Sequence, residues 1–78
     1  MAAHSPAEQR LRRLLKALRK EAGLTQTELG VRLKQPQQVI SKIERGERRL
    51  YATQLFEFCR RGFGVGPTEL GRRYEAQR

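Results

Sequence analysis

The sequence predicts an all-α fold, a compact five-helix bundle, and three observations predict it. Apolar residues recur at three- and four-residue steps along most of the chain. Helix-start signals stand directly in front of those stripes, and no segment alternates in the two-residue rhythm of a strand. There is no internal repeat and no low-complexity tract.

Residues 1–5 read as a flexible N-terminal tail that carries the single histidine, His4. Ser5 then stands as an N-cap, with Pro6 at the first helical position and Glu8 three residues after the cap. Leu11, Leu14, Leu15, Leu18 and Ala22 continue as one amphipathic stripe, and Gly23 supplies a left-handed stop. The first helix is expected over residues 6–22.

The second start is the most completely specified. Thr25 and Glu28 have capping-box spacing, and Leu24 and Leu29 have the spacing of a hydrophobic staple. Loss of the Thr25 cap is expected to cost ~1 kcal/mol. The second helix should span 26–33, with Leu29 and Leu33 inward. Gly30 lowers helix propensity by about 1 kcal/mol relative to Ala, so its use must be to let another helix come close.

Only Lys34 and Gln35 separate that helix from Pro36, which suits a first helical position. A third helix follows to Glu44, with Ile40 and Ile43 inward and Gln37, Gln38, Ser41 and Lys42 outward. Arg45-Gly46 closes it. A fourth amphipathic stretch, 52–61, offers Leu55, Phe56, Phe58 and Cys59; Gly62, Gly64 and Gly66 then mark a loop. Pro67 starts a last helix holding Leu70 and Tyr74. The domain is drawn over 6–70, with 71–78 as the end of the last helix, a remainder too short for a separate sensing or dimerisation domain.

Composition narrows the function. The chain has 78 residues, 17 Lys or Arg against eight Glu and no Asp, and a formal net charge of +9. Such an excess over so few residues calls for a polyanionic partner: nucleic acid, anionic membrane or acidic protein. The single Cys59 cannot form an intrachain disulfide, and one Cys with one His does not make a zinc site. No apolar run approaches the ~18–20 residues of a membrane span, and the N-terminus has no signal-peptide apolar region. Paired carboxylates, a Cys–His couple and a phosphate-cradling glycine loop are all missing, so no enzyme, cofactor or small-molecule ligand is expected.

The helices over 26–33 and 36–44 are joined too tightly to run antiparallel, and they must cross steeply as a helix-turn-helix. Leu29, Leu33, Ile40 and Ile43 lock the pair together. The outer face of the second helix is then free to enter a major groove about 12 Å wide. The runs Gly23-Leu24-Thr25-Gln26-Thr27-Glu28-Leu29 and Val39-Ile40-Ser41-Lys42-Ile43-Glu44-Arg45-Gly46 resemble the Xre/Cro-repressor helix-turn-helix family of bacteria and phages, over roughly residues 11–70. The resemblance implies a lambda-repressor-like DNA-binding fold with a reading unit over 26–45.

It further implies roles for individual residues. Gln26 matches a family glutamine that binds a phosphate and braces the recognition helix. Gln37, Gln38 and Lys42, with Ser41 beside them, occupy base-reading positions, and Val39 is placed to touch a thymine methyl. Arg45, Arg48 and Arg49 fall in the segment laid along the DNA backbone. Arg19 and Glu44 match an ion pair tying the first helix to the recognition helix. Glutamine suits adenine and lysine suits guanine, while arginine neutralises phosphates without reading sequence.

Three departures accompany the resemblance. Lys34 replaces a turn glycine, Pro36 replaces a capping Ser or Thr, and residues 60–64 are one residue longer than the usual connection. Beyond the motif, Arg10, Arg12, Arg13, Lys16 and Lys20 read as a solvated face of the first helix. Cys59 reads as a small core residue, and Phe56, Phe58, Phe63 and Tyr74 as core, with one or two left for a contact between copies. The expectation is a cytoplasmic transcriptional regulator of bacterial or phage type, a repressor that binds a palindromic operator in double-stranded DNA as a homodimer. An antitoxin or adaptor whose main partner is another protein is the rival; a membrane-surface peptide fits poorly with capped helices bearing complementary stripes.

Overall fold

Local signals set the helix ends in the computed structural model, which describes residues 5–77. The helices are α1 (Pro6–Glu21), α2 (Gln26–Leu33), α3 (Gln37–Arg45), α4 (Ala52–Glu57, continued by a π-wound segment, Phe58–Phe63) and α5 (Pro67–Ala76). No strand occurs among the described residues. His4 and the rest of the expected tail, residues 1–4, lie outside them.

At the start of α1 the Glu8 N–H donates to Ser5 Oγ at 3.1 Å, with Pro6 in the first turn. At its end the Gly23 N–H donates to the Lys20 carbonyl and the Leu24 N–H to the Arg19 carbonyl, at 3.0 and 3.1 Å, the paired bonds of a left-handed cap. Ala22 is an exposed C-cap rather than part of the buried stripe, so α1 is one residue shorter than expected. The capping box of α2 is complete: the Glu28 N–H donates to Thr25 Oγ1 at 3.0 Å, and the Thr25 N–H donates to Glu28 Oε1 at 2.8 Å.

In the turn between α2 and α3, Lys34 takes the place of the expected turn glycine and Pro36 departs from expectation. Lys34 adopts the left-handed conformation (φ 56°, ψ 43°), which costs a side-chain-bearing residue ~1–2 kcal/mol. Pro36 is the N-cap of α3, extended at φ −62° and ψ 151°, rather than its first helical residue. After the left-handed turn the chain re-enters helical winding only at Gln37, and α3 runs one residue further than expected, to Arg45. A Cβ on Gly30 would lie 2.6 Å from the Gln35 carbonyl oxygen. The close approach that Gly30 permits is therefore first to the backbone of the turn, with the start of α3 next to it at 3.6 Å (Gln37 N).

Leu15, Leu29, Leu33, Ile40, Ile43 and Phe58 form one core cluster, joining α1, α2 and α3 to the π-wound segment. Leu14, Leu18, Cys59 and Leu70 form a second, under α5. Each fully buried Leu or Ile contributes ~1.5–3 kcal/mol by leaving water. Burial pushes the Cys59 thiol pKa up, as suits a core residue.

The expected loop at Gly62 is helix instead. Winding continues through Phe63 as a π-wound segment and stops at the left-handed Gly64. Gly62 is buried against α2, where a Cβ would lie 2.6 Å from Leu29 Cδ1. Its carbonyl accepts from Arg32 Nη1 at 3.0 Å.

The α5 helix returns onto α1 through Arg10, which is not the solvated side chain its position suggested. Its guanidinium sits 4.5 Å from the Tyr74 ring centroid and donates to the Tyr74 carbonyl at 3.0 Å. A cation there complements both the aromatic face and the helix C-terminus.

Candidate nucleic-acid interface

Burial of Ile40 and Ile43 fixes the rotation of α3 about its own axis. Gln37, Gln38, Lys42 and Arg45 are consequently exposed on the opposite side, with Ser41 half-buried among them. Val39 is half-buried against the core and lines a groove with Leu33, Ile43 and Phe58, so it stands off this polar face.

A continuous chain of polar contacts leads from α1 to the first turn of α3. Arg19 donates from Nε and Nη2 to the two oxygens of Glu44, at 2.7 and 3.1 Å, and from Nη1 to the Leu24 carbonyl at 2.8 Å. Both side chains of the pair are less than 10% exposed, at 9% and 5%. Gln26 Nε2 donates to Glu44 Oε1 at 2.9 Å, and Gln37 Nε2 donates to Gln26 Oε1 at 2.6 Å. The direction of the chain follows from its chemistry. A carboxylate only accepts, so Glu44 draws the NH2 of Gln26 inward and turns the Gln26 carbonyl outward. That carbonyl in turn draws the NH2 of Gln37, leaving the Gln37 Oε1 and one remaining N–H to face outward. Such an edge matches the donor and acceptor of adenine in the major groove.

A second cluster lies at the other end of α3. Arg45 donates from Nε and Nη2 to the Glu47 carboxylate, both at 3.0 Å, and from Nη1 to Ser41 Oγ at 2.8 Å. The Arg45 guanidinium holds the Glu47 carboxyl below its ordinary value. This pair is more than half exposed and screened by water, so a phosphate can compete for the guanidinium. Arg48 and Arg49 are exposed in the loop that follows.

Two contacts at this site went unread in the sequence. Glu47 partners Arg45, although its position two residues later was open to view. The Arg12 guanidinium lies beside Gly46, where a Cβ would meet its Cζ at 2.7 Å, and no local pattern connects those positions. Gly46 also holds φ 80°, a left-handed conformation that favours glycine. Among the described residues no cluster of His, Cys, Asp or Glu suits a metal ion, and no helix is long and apolar enough to cross a membrane.

Comparison with known proteins agrees with this geometry. The helix-turn-helix family model matches residues 15–70, most of the chain. An XRE-family like protein from Pseudomonas syringae pv. tomato str. DC3000 superposes with a TM-score of 0.83 at 44% identity, over 94% of this chain and 88% of that one. No curated protein matches the chain. With the two crossing helices, the polar outer face of α3 and these two likenesses in hand, the chain belongs to the Xre-like helix-turn-helix family of DNA-binding transcription regulators.

Proposed function

We propose that the protein is a sequence-specific repressor that reads double-stranded DNA by laying α3 in the major groove. The observation that supports this reading is the polar chain Arg19–Glu44–Gln26–Gln37, which holds the Gln37 amide at the entry of α3. Gln37, Gln38, Ser41 and Lys42 face base edges, with Val39 at the margin for a thymine methyl. Gln26 keeps one N–H for a phosphate, and Arg45, Arg48 and Arg49 neutralise phosphates beside it. Arg19 and Glu44 hold the frame.

One module of this size reads only a few base pairs, which favours a homodimer on a palindrome. Half-sites one helical turn apart lie ~34 Å from each other. The longest dimension of the fold is 28 Å, so two copies fit side by side on one face of the duplex. The protein would act in the cytoplasm, where bacterial and phage DNA lies.

Selection of bound duplexes from a random pool tests the reading. A recovered palindrome, lost when Gln38→Ala and Lys42→Ala are introduced together, is the expected result. Sequence-blind binding, or a preference unchanged in that variant, refutes the base-reading assignment. A chain that selects no duplex but retains a protein partner after both substitutions is the antitoxin or adaptor instead. One chain per site in sedimentation with the selected duplex refutes the dimer.

A further inference from the structure

Arg13 and Lys16 on α1 are exposed and take no part in the core or in the polar chain just described. Arg12, Arg13 and Lys16, with Gln9, line an open cleft whose far wall is Glu44. The Glu44 charge is already matched by Arg19 through two hydrogen bonds, so the cleft is left with a positive excess. Like charges at positions 12 and 16 stand four apart on one helix, an arrangement that slightly destabilises an isolated helix. The cleft also adjoins the site directly. The Arg12 guanidinium packs on Gly46, the residue that ends α3 and opens the loop bearing Arg48 and Arg49. The basic side of α1 and the basic loop therefore meet at one point, on elements far apart in sequence.

We propose that this cleft takes a backbone phosphate of the DNA outside the segment read by α3, with Arg13 and Lys16 as the contacting cations. The inference rests on the DNA-binding reading and extends it. One clamp follows the recognition helix, through Gln26 and residues 45–49. A second, sequence-blind clamp lies on α1. Arg12 sits where the two meet, its guanidinium beside Gly46. The lone-pair-rich, doubly exposed oxygens of a phosphodiester suit a guanidinium and an ammonium converging from one helix face.

The test is the salt dependence of binding by Arg13→Ala/Lys16→Ala. Both positions are exposed on a helix, where alanine is tolerated, and unchanged far-ultraviolet dichroism checks the fold. A matched control, Arg60→Ala/Arg72→Ala, removes the same charge from exposed positions elsewhere. Each phosphate contact contributes about 0.9 to the slope of log K against log salt. The α1 variant, losing that one phosphate contact, should lose about 0.9 from that slope, so that raising salt from ~50 to ~200 mM weakens wild type about three- to fourfold more than the variant. The loss should be equal on selected and random duplexes, absent in the control, and absent on a selected duplex trimmed of its flanks. A wild-type slope in the α1 variant, on a duplex that wild type clearly prefers, overturns this inference and leaves the proposed function standing. An equal loss in the control, or one that survives trimming, also overturns it. Failure of wild type to prefer any duplex overturns both.

Discussion

Truncating Glu44 to alanine should destabilise the fold more than any other single change on its surface-facing helices. The Glu44 carboxylate accepts three hydrogen bonds, two from Arg19 and one from Gln26. Glu44→Ala leaves the Arg19 guanidinium charged, 9% exposed, and held only by the Leu24 carbonyl. Breaking a buried pair from one side costs ~3–5 kcal/mol, because the remaining charge keeps its desolvation penalty. A domain of this length has a total stability of order 5 kcal/mol, so the variant should be largely unfolded near physiological temperature. Removing both charges with Arg19→Met and Glu44→Leu should restore most of the loss, since an apolar pair of similar volume carries no such penalty. Urea titration followed by far-ultraviolet dichroism measures all three proteins. The double variant should also show a dissociation between fold and reading: with Gln26 unanchored, the preference among duplexes should weaken while stability recovers. A Glu44→Ala midpoint corresponding to a loss under ~1 kcal/mol would refute the buried-charge reasoning.

Other predictions concern the turn and the caps. Lys34→Gly removes a left-handed penalty of ~1–2 kcal/mol but adds unfolded-state freedom of ~0.5–1 kcal/mol, so a gain of about 0.5–1 kcal/mol and a rise in Tm are expected by calorimetry; a lower Tm contradicts it. Gly30→Ala drives a Cβ into the Gln35 carbonyl and should cost ~1–3 kcal/mol in denaturant titration, where propensity alone would predict a gain. The Glu28 carboxyl is held below its ordinary value of 4.5, first by its bond to the Thr25 backbone N–H and then by the Thr25 side chain. A depressed carboxylate stabilises above the unfolded pKa and loses that contribution as pH falls through the folded one. Glu28→Gln should therefore lose that contribution at pH 7, converge with wild type as pH falls below about 4.5, and so flatten part of the acid limb; an unchanged acid limb contradicts the assignment.

What was legible in the sequence is what the chain encodes locally. Ser5 with Glu8, and Thr25 with Glu28, are three-residue relations, and both form as read. The inward Leu and Ile positions follow from helical periodicity, and they alone orient the outer face of α3. The Arg19–Glu44 pair was legible only through the family resemblance, since 25 residues separate its members. Misreadings fall where one residue type serves two purposes. Gly62 looks like a loop residue, yet it is used for a close approach to Leu29. Pro36 is compatible with both the cap and the first helical position, and the left-handed Lys34 before it decides between them. Arg10 resembles its exposed neighbours along α1, and only the return of α5 gives it Tyr74 as a partner.

The π-wound end of α4 bears on how such a protein can change over generations. In an α-helix one inserted residue rotates everything beyond it by about 100°, enough to scramble which side chains face inward. A wider turn such as Phe58–Phe63 can take up one residue without that rotation, and here Gly62 is fitted against Leu29 with Arg32 holding its carbonyl. Leu70 still reaches the cluster of Leu14, Leu18 and Cys59. The back of the molecule is thus where length can drift by a residue at small cost. The helices α2 and α3, locked at Gly30 and through Glu44, have no such slack, so descendants of this chain should vary in length behind the reading unit before they vary within it.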